Sequence, residues 1–154
     1  MAERTVVNSL AGTVMAVSAG LPATYDAAGY GATSITYTTV GEVESIGEHG
    51  VTAAVTEFTP IDTSTVTKVK GSKNYGTLPL TMGALPSDGG QDILELAAES
   101  NNHYSIKLTY QDTSIHYLDV LVSKFAQVNG AVDDIAKIAC ELAVCRIPVI
   151  VPQA

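Results

Sequence analysis

The sequence has little positive charge and few large aromatic side chains. Its 154 residues include no Trp, two Phe and two Cys, with eight Lys or Arg against 16 Asp or Glu. The formal net charge of −8 disfavours binding to nucleic acid or to an anionic membrane by charge. No apolar run approaches the roughly 20 residues that span a bilayer, and no cationic segment precedes an apolar stretch at the N-terminus. We therefore expect a soluble product made inside the cell, with no membrane partner.

The two cysteines, Cys140 and Cys145, are five residues apart in one predicted strand. Side chains alternate along a strand, so these two point to opposite faces and lie roughly 16 Å apart. A disulfide needs Cα atoms within about 7 Å, which excludes a bond between them. We expect both to be small buried or half-buried side chains in a reducing compartment.

The residue patterns of common enzymes and metal sites are missing from the sequence. His49, His103 and His116 have neither the helical i, i+4 spacing nor the Cys-rich surroundings of a zinc site. The stretch 71–73 reads Gly-Ser-Lys without the glycine spacing of a phosphate-binding loop, and there is no Gly-x-Ser-x-Gly motif. We predict structural or surface histidines, no catalytic, cofactor-binding or metal residues, no cofactor and no enzyme activity.

Two pairs of acidic residues offer little chemistry. Asp133 and Asp134 are adjacent in a predicted strand, so their side chains point to opposite faces. Glu42 and Glu44 share a face, which is consistent with a weak cation site or with a solvated edge.

Small apolar residues dominate what is present. Hydrophobic residues make up 46% of the chain, and the mean hydropathy is +0.22. Such a composition is typical of chains that bury surface between subunits as well as in a core, and an ordinary β-rich core is the alternative. The length predicts a single domain over residues 1–154.

Alternating apolar residues predict a mainly β fold. Strand patterns occupy residues 12–18, 35–40, 51–55, 75–82, 104–110, 116–125 and 132–145, with one around Val43 and a short strand or ordered arm at 5–9. Residues 19–31 predict a loop, and residues 91–99 are the one helical pattern. Ser87 or Asp88 would cap this helix, whose apolar side carries Ile93, Leu94, Leu96 and Ala97. The combination predicts a β-sandwich or partly open barrel with one short flanking α-helix.

The last predicted strand, 132–145, has two different faces. One is apolar (Ala136, Ile138, Cys140, Leu142 and Val144), and the other is polar or small (Lys137, Ala139, Glu141 and Ala143). The apolar face should avoid water by packing on the helix that carries Ile93 and Leu96. Asn129-Gly130 predicts a tight hairpin before the strand. Residues 146–154 predict an extended C-terminal arm whose apolar side chains pack on the body or on a neighbour.

A polar connection occupies the middle of the chain. From Thr59 to Asn74, only Ile61, Val66 and Val69 are apolar enough to pack. A compact domain seldom keeps so long a connection without a use, so we predict a long loop or extended hairpin that binds a partner. A mobile surface hairpin is the alternative. Just after it, Pro79 interrupts an alternating strand and predicts an edge or a bulge.

The order of residues around this connection resembles a known family. Gly41-Glu42-Val43 is followed by Asp62-Thr63, by Lys70-Gly71 and by a Tyr75-Gly76 that opens a new strand. This order is similar to that of major tail tube proteins of long-tailed, siphovirus-like bacteriophages. Residues 17–30, Val-Ser-Ala-Gly-Leu-Pro-Ala-Thr-Tyr-Asp-Ala-Ala-Gly-Tyr, resemble the N-terminal segment of the same family, and the later helix and strands follow in its order.

The resemblance implies a structural virion protein that forms hexameric rings stacked into a hollow tail tube for DNA ejection. Each subunit would contribute strands to an inter-subunit β-barrel, and viral DNA would pass through the lumen without specific binding. The implied partners are the tail terminator, tape measure and tail tip proteins. Assembly would take place in the host bacterial cytoplasm, and the final location would be the virion tail. A tube or ring protein like that of the type VI secretion system, or another β-sandwich module, is the alternative.

The resemblance also implies two sets of site residues. The connection 59–74 would reach the adjoining ring through Asp62, Thr63, Lys68, Lys70 and Lys73. The face formed by Lys137, Ala139, Glu141 and Ala143 would line the lumen. Small side chains there would keep the wall smooth, and Glu141 would repel phosphate. The alternative is that this face meets solvent or another subunit.

Overall fold

The computed structural model describes residue 7 and residues 9–152. The predicted arm at 5–9 therefore lies mostly outside the described residues, as does the end of the C-terminal arm. The strands are β1 (Val14–Ser18), β2 (Thr38–Thr39), β3 (Val43–Ile46), β4 (Thr52–Phe58), β5 (Thr67–Asn74), β6 (Thr77–Gly83), β7 (Tyr104–Thr109), β8 (Ile115–Val128), β9 (Lys137–Val144) and β10 (Val149–Val151). The helices are α1 (Ala27–Tyr30) and α2 (Gly89–Glu99).

Eight of these strands form one antiparallel sheet. Its order is β2-β1-β7-β8-β9-β6-β3, and β10 pairs with β8 beyond the end of β9. The prediction of a mainly β fold with a short flanking helix is confirmed. Within the described residues the two end strands do not pair with each other, so the sheet is not closed into a barrel.

One face of the sheet forms the core, because alternate residues of five neighbouring strands point under α2. The core side chains include Met15, Val17, Leu78, Leu80, Met82, Ile106, Leu108, Leu118, Val120, Ile138, Cys140 and Leu142. Each large side chain buried in this way contributes about 1.5–3 kcal/mol of transfer free energy. The apolar face predicted for the last strand is therefore buried, except for Ala136, which is exposed and precedes β9.

Helix α2 begins at the predicted cap. The carboxylate of Asp88 accepts hydrogen bonds from the backbone N–H of Gln91 and of Gly41, at 3.0 and 3.1 Å. The helix packs mainly on β8 and β1. Its buried Leu94 belongs to the same hydrophobic cluster as Ile138, Cys140 and Leu142 of the last long strand, on which the helix was predicted to pack. Leu96 is 61% exposed, so its predicted place in the core is wrong. It lies two residues, or roughly 200°, around the helix from the buried Leu94.

The predicted loop at 19–31 contains a second helix, α1. Asp26 caps this single turn by accepting a hydrogen bond from the N–H of Gly29 at 2.7 Å. Tyr30 is buried and stacks on Tyr117 of β8, with ring centroids 5.2 Å apart. This segment covers the second face of the sheet near β8. Of the strand predicted at 35–40, only Thr38 and Thr39 form a strand, β2. Ile35 is instead buried beside Gly20, in the segment that contains α1.

Three predictions about the later strands are wrong. Pro79 lies on β6, which has partners on both sides and is not an edge, and the register shift on β3 between Val43 and Ser45 lies opposite Met82 and Thr81 and not opposite Pro79. Pro79 has no backbone N–H to donate, and this position lies where β3 ends. The carbonyl of Pro79 still accepts a hydrogen bond from the N–H of Gly47 at 2.8 Å. Asn129-Gly130 starts an eight-residue connection, 129–136, instead of a tight hairpin. The longest strand is β8, with 14 residues, whereas β9 has eight.

The C-terminal segment returns to the sheet. On β8, Tyr117 pairs with Val149 of β10. Three residues later, Val120 of the same strand pairs with Val144, the last residue of β9. Part of the predicted arm is therefore strand β10. Val149 is half-buried, while Ile147 and Ile150 remain exposed.

Candidate functional site

Residues 52–74 form a hairpin that stands apart from the sheet, and we call it the projecting hairpin. It consists of β4, β5 and a turn at 59–66. Among the described residues, its two strands pack on each other and make no comparable contact with another helix or strand. The connection predicted at 59–74 as a long loop or an extended hairpin is thus a hairpin. Its turn, 59–66, is only half as long as the predicted connection. Asp62 and Thr63 lie in the turn, whereas Lys68, Lys70 and Lys73 lie on β5.

The projecting hairpin exposes large apolar side chains. They are Val55, Phe58, Ile61, Val66 and Val69. At the tip, Ile61 is 99% exposed, and Phe58 at the end of β4 is 64% exposed. An isolated two-stranded hairpin is only marginally stable in water, and apolar residues clustered on a surface mark an interaction site. The hairpin therefore has the properties of a segment that is buried against a partner.

The projecting hairpin is also basic, unlike the rest of the chain. Three of the eight cationic side chains lie on it, with Glu57 and Asp62 as its acids. Its formal charge is +1, which leaves −9 for the remaining residues. The pairs Val55 with Lys70 and Glu57 with Lys68 are directly opposite across the two strands, so these side chains share one face.

The base of the projecting hairpin is tied to the sheet by a pair of histidines and borders a cavity. The segment before β4 is tied to β8 by His49, whose Nε2 is 2.8 Å from Nδ1 of His116. Burial lowers the pKa of both imidazoles from their usual value, and Asp112 opposes the shift at His116. Beside this contact, Ile147 and Tyr75 line a cavity of about 290 Å³ with residues of the hairpin base.

This histidine pair could not be predicted from the sequence, because 67 residues separate its members. The position of His116 follows from the strand pairing, which places it between Ile150 of β10 and Leu108 of β7. The edge of Tyr110 also packs against His116, with ring centroids 4.7 Å apart. His49 and His116 thus contact each other, and His103 contacts Asp119.

The second candidate surface is the face of β9 that points away from the core. Lys137, Ala139 and Ala143 are half-buried and Glu141 is exposed. Neighbouring strands extend this surface, which we call the open sheet face, with further residues directly opposite these: Leu121, Lys124, Ala126 and Val128 on β8, and Thr77, Pro79, Thr81 and Gly83 on β6.

The charges of the open sheet face balance. Lys124 lies opposite Glu141 across the β8–β9 pair. Nζ of Lys137 lies 2.8 Å from a carboxylate oxygen of Glu44. Glu44 is one of the two acids whose spacing is consistent with a weak cation site or a solvated edge. Two cations and two acids leave no net charge, and the side chains between them are small. Such a surface neither grips nor strongly repels a polyanion.

A buried carboxylate lies behind the hairpin base. Asp119 on β8 is 1% exposed, and its two oxygens contact Nδ1 of His103 at 3.2 Å and Nε of Arg146 at 3.3 Å. The guanidinium of Arg146 in turn lies 3.7 Å from the ring centroid of Tyr25. These contacts hold the start of the C-terminal segment on the sheet.

The two cysteines lie as the strand pattern predicts. Cys140 is buried, Cys145 is half-buried, and both are free thiols. Burial raises the pKa of the Cys140 thiol to about 12. Over the described part of the chain, no group of three His, Cys, Asp or Glu side chains is placed to hold a metal ion. No helix within it has the length and apolar character needed to cross a membrane.

Comparison with known proteins supports the fold. No family model matches the chain, and neither does any curated protein. A chain in the structure of the anti-feeding prophage baseplate, 6-fold symmetrised, matches with a TM-score of 0.67 at 10% identity, over 99% of both chains. A chain in the PVC sheath/tube terminator of an extracellular contractile injection system, in the extended state, matches with a TM-score of 0.67 at 11% identity, over 96% of this chain and 98% of that one. The SPP1 tail tube matches with a TM-score of 0.60 at 12% identity, over 90% of this chain and 75% of that one.

These likenesses cover nearly the whole chain at identities near one in ten. They show that this chain has the fold found in phage tail tubes and in contractile injection systems. They do not single out the siphovirus-like family of the sequence resemblance, because the neighbours span both kinds of assembly.

Proposed function

We propose that this protein is a tube subunit that polymerises as stacked hexameric rings into a hollow conduit. The observation that carries the proposal is the projecting hairpin, a basic and apolar ribbon whose strands, among the described residues, pack mainly on each other, on a fold shared with tail tube proteins. The whole chain, residues 1–154, would act as one tail-tube domain. The six-fold symmetry of the anti-feeding prophage baseplate supports the ring order.

The projecting hairpin would make the contact between rings. Strand β4 has seven residues and extends roughly 20 Å, enough to cross a ring boundary. The turn residues Asp62 and Thr63 would reach farthest, with Lys68, Lys70 and Lys73 along the ribbon. Contacts of this head-to-tail kind do not close on themselves, so they generate filaments.

The open sheet face would form the lumen wall, with Lys137, Ala139, Glu141 and Ala143 at its centre. Its small side chains and balanced charge suit a passage for DNA, because a wall of free cations would bind each phosphate and retard movement. The edges of the sheet would pair between subunits to complete the inter-subunit barrel. DNA would pass without specific binding.

We infer that the protein belongs to the tail of a siphovirus-like phage particle. The resemblance of residues 17–30 and 41–76 to tail tube proteins supports this choice. The tail terminator, tape measure and tail tip proteins would then be its partners, and assembly would take place in the host cytoplasm. A tube protein of a contractile injection system, related to that of type VI secretion, is the second candidate, because two structural neighbours come from injection systems.

Electron microscopy of the purified protein tests the proposal. We expect long, unbranched hollow tubes, and replacing residues 53–73 by a short Gly-Ser turn between Thr52 and Asn74 should leave a folded subunit that does not polymerise. Isolated rings would favour the second candidate, whereas monomers under all assembly conditions would contradict both. Tubes formed by the shortened protein would argue against the inter-ring hairpin.

Hydrogen exchange gives an independent check on the same hairpin. Amides from Thr63 to Gly71 should exchange rapidly in the monomer and slowly in the tube, because the two strands of the hairpin pack mainly on each other in the described part of the chain. Equal protection in both states would contradict the inter-ring role.

A further inference from the structure

A groove lies at the end of the subunit opposite to the projecting hairpin. The hairpin joins the body at Thr77, the first residue of β6, and the groove begins past Gly83, the last. The two ends of this strand are roughly 20 Å apart. We call this opening of about 460 Å³ the distal groove, and the residues that matter in it are Leu85, Asp92, Glu95, Phe125, Ala136 and Ile138.

The distal groove has an apolar floor and an acidic rim. Phe125 and Ile138 form part of the floor, and Asp92 and Glu95 project from the exposed side of α2. The connection 129–136 reaches the groove through its last residue, Ala136, while its acids Asp133 and Asp134 line a separate opening beside Lys137. It also exposes Val132 and Ile135, two large apolar side chains that contact little of the body.

The projecting hairpin has the complementary properties. Its tip is apolar, and Lys68 and Lys70 lie on one face of the ribbon behind it. The hairpin is the net basic part of an otherwise acidic chain. Attraction between a basic ribbon and an acidic rim would set the register, while burial of apolar side chains on both sides would supply affinity.

We propose that the distal groove is the receptor for the projecting hairpin of a second copy of this chain in the next ring. Ile61 at the tip enters the groove, and Lys68 and Lys70, on the ribbon face that also carries Val55, face Asp92 and Glu95. The groove and the hairpin are at opposite ends of β6, so the contact is head-to-tail and repeats without limit along an axis. This inference rests on the proposed function and adds the surface on which the hairpin binds.

A charge exchange tests the assignment in assembled protein. The hairpin variant Lys68→Glu/Lys70→Glu and the groove variant Asp92→Lys/Glu95→Lys should each yield at least about tenfold less tube than wild type, because like charges then meet. The protein that carries all four substitutions should recover most of the wild-type yield, since the pairs are restored with opposite sign. Circular dichroism and sedimentation of the unassembled variants establish that each subunit is folded.

Glu99→Lys is the matched control, because Glu99 is exposed on the same helix but lies outside the groove. It should assemble like wild type. The inference is overturned if the groove variant forms tubes normally, or if the four-fold variant yields no more tube than the two double variants. A groove variant that assembles normally while the hairpin variant does not would mean that the hairpin binds elsewhere and that the groove serves another partner. Failure of the wild-type protein to form tubes would instead contradict the proposed function itself.

Discussion

Nε2 of His49 lies 2.8 Å from Nδ1 of His116, and this contact ties the segment before the projecting hairpin to the longest strand of the sheet. One nitrogen of the pair must donate and the other accept, so the contact requires at least one neutral ring. When both rings are protonated, the hydrogen bond is lost and two like charges meet in a half-buried site. The pair is therefore a pH-sensitive contact at the base of the candidate assembly surface.

We predict that stability falls as the pH drops below about 6.5, the ordinary pKa of histidine. Burial lowers the pKa of both rings in the folded state, and His49 lowers the pKa of His116 further, while Asp112 acts in the opposite direction at His116. The unfolded chain then binds more protons than the folded one, so the free energy of unfolding decreases with decreasing pH. Denaturant unfolding of the subunit between about pH 7.5 and about pH 5.5 measures this slope.

The variant His49→Gln/His116→Gln isolates the effect of the pair. Glutamine keeps hydrogen-bonding capacity without a titrating ring, so the slope should be flatter than in wild type. The carboxylate of Asp26, whose pKa is lowered by the hydrogen bond from Gly29, loses its contribution only at more acidic pH, near and below 3.8. An unchanged slope in the double variant would show that other groups cause the pH dependence.

Gly47 lies directly against the ring of Pro79, so position 47 requires a residue without a side chain. A Cβ on residue 47 would lie 2.4 Å from Cδ and from Cγ of the Pro79 ring. We predict that Gly47→Ala destabilises the subunit by about 1–3 kcal/mol, since β3 must move away from β6. Thermal or denaturant unfolding of the unassembled protein measures the change.

Gly50→Ala is the control for this prediction, because a Cβ there meets nothing within 4 Å and its φ is not positive. Its effect should stay within about 0.5 kcal/mol. Replacing the ring as well, in Gly47→Ala/Pro79→Ala, should recover part of the lost stability. No recovery would show that the clash with the ring is not the cause.

Much of the fold could be predicted from the sequence, because alternating residues report which face of a strand is buried. Leu78, Leu80 and Met82 are all buried, as their spacing indicates, and so is the apolar face that begins at Ile138. The cap at Asp88 was also predictable, since the side chain acts on residues three positions away. These are local signals, and the period-two pattern is the same in any sheet.

The errors arise where the neighbour in space is distant in sequence. The position of Pro79 inside the sheet depends on β3 and β9, neither of which its local pattern reveals. The exposure of Leu96 depends on which face of α2 meets the sheet. The candidate site was predicted in part: the hairpin was expected, but its long strands were not, because β5 is polar on both faces and has no period-two pattern.

Arg146 and Asp119 provide a test of how the C-terminal segment is held. Removing the guanidinium leaves a carboxylate that is 1% exposed and that keeps, among the described residues, its contact with Nδ1 of His103. We predict that Arg146→Met destabilises the subunit by about 1–3 kcal/mol, the cost of an unmade hydrogen bond to a buried acceptor. Contact with the ring of Tyr25 is also reduced.

A double-mutant cycle separates the ion pair from this packing. In an Asp119→Asn background, Arg146→Met should cost less than in wild type by at least about 0.5 kcal/mol, because the charge that Arg146 neutralises is gone. Strictly additive effects would contradict the ion pair and leave packing on Tyr25 as the contribution of Arg146. The exchange rates of the amides of Val149 and Val151 should rise in Arg146→Met if the pair holds β10 in place.

The last prediction concerns which surface of the assembled protein faces the channel. The open sheet face and the exposed side of α2 lie on opposite sides of the sheet, since α2 covers the core face. If the first lines the lumen, then the second is on the outside of the tube. A cysteine at each position distinguishes the two sides by the size of the reagent that reaches it.

Glu141→Cys reports the open sheet face and Glu99→Cys reports α2, both in a Cys145→Ala background. Cys140 can remain, because its thiol is buried and its pKa is raised to about 12, which keeps it protonated and unreactive at neutral pH. In assembled tubes, a thiol reagent too bulky for the channel should label position 141 slowly and position 99 rapidly. A small reagent should label both, because it can diffuse along the lumen. In dissociated subunits both reagents should label both positions at similar rates, since both residues are exposed in the single chain. Rapid and complete labelling of position 141 in intact tubes by the bulky reagent would place the open sheet face outside and refute its assignment to the lumen.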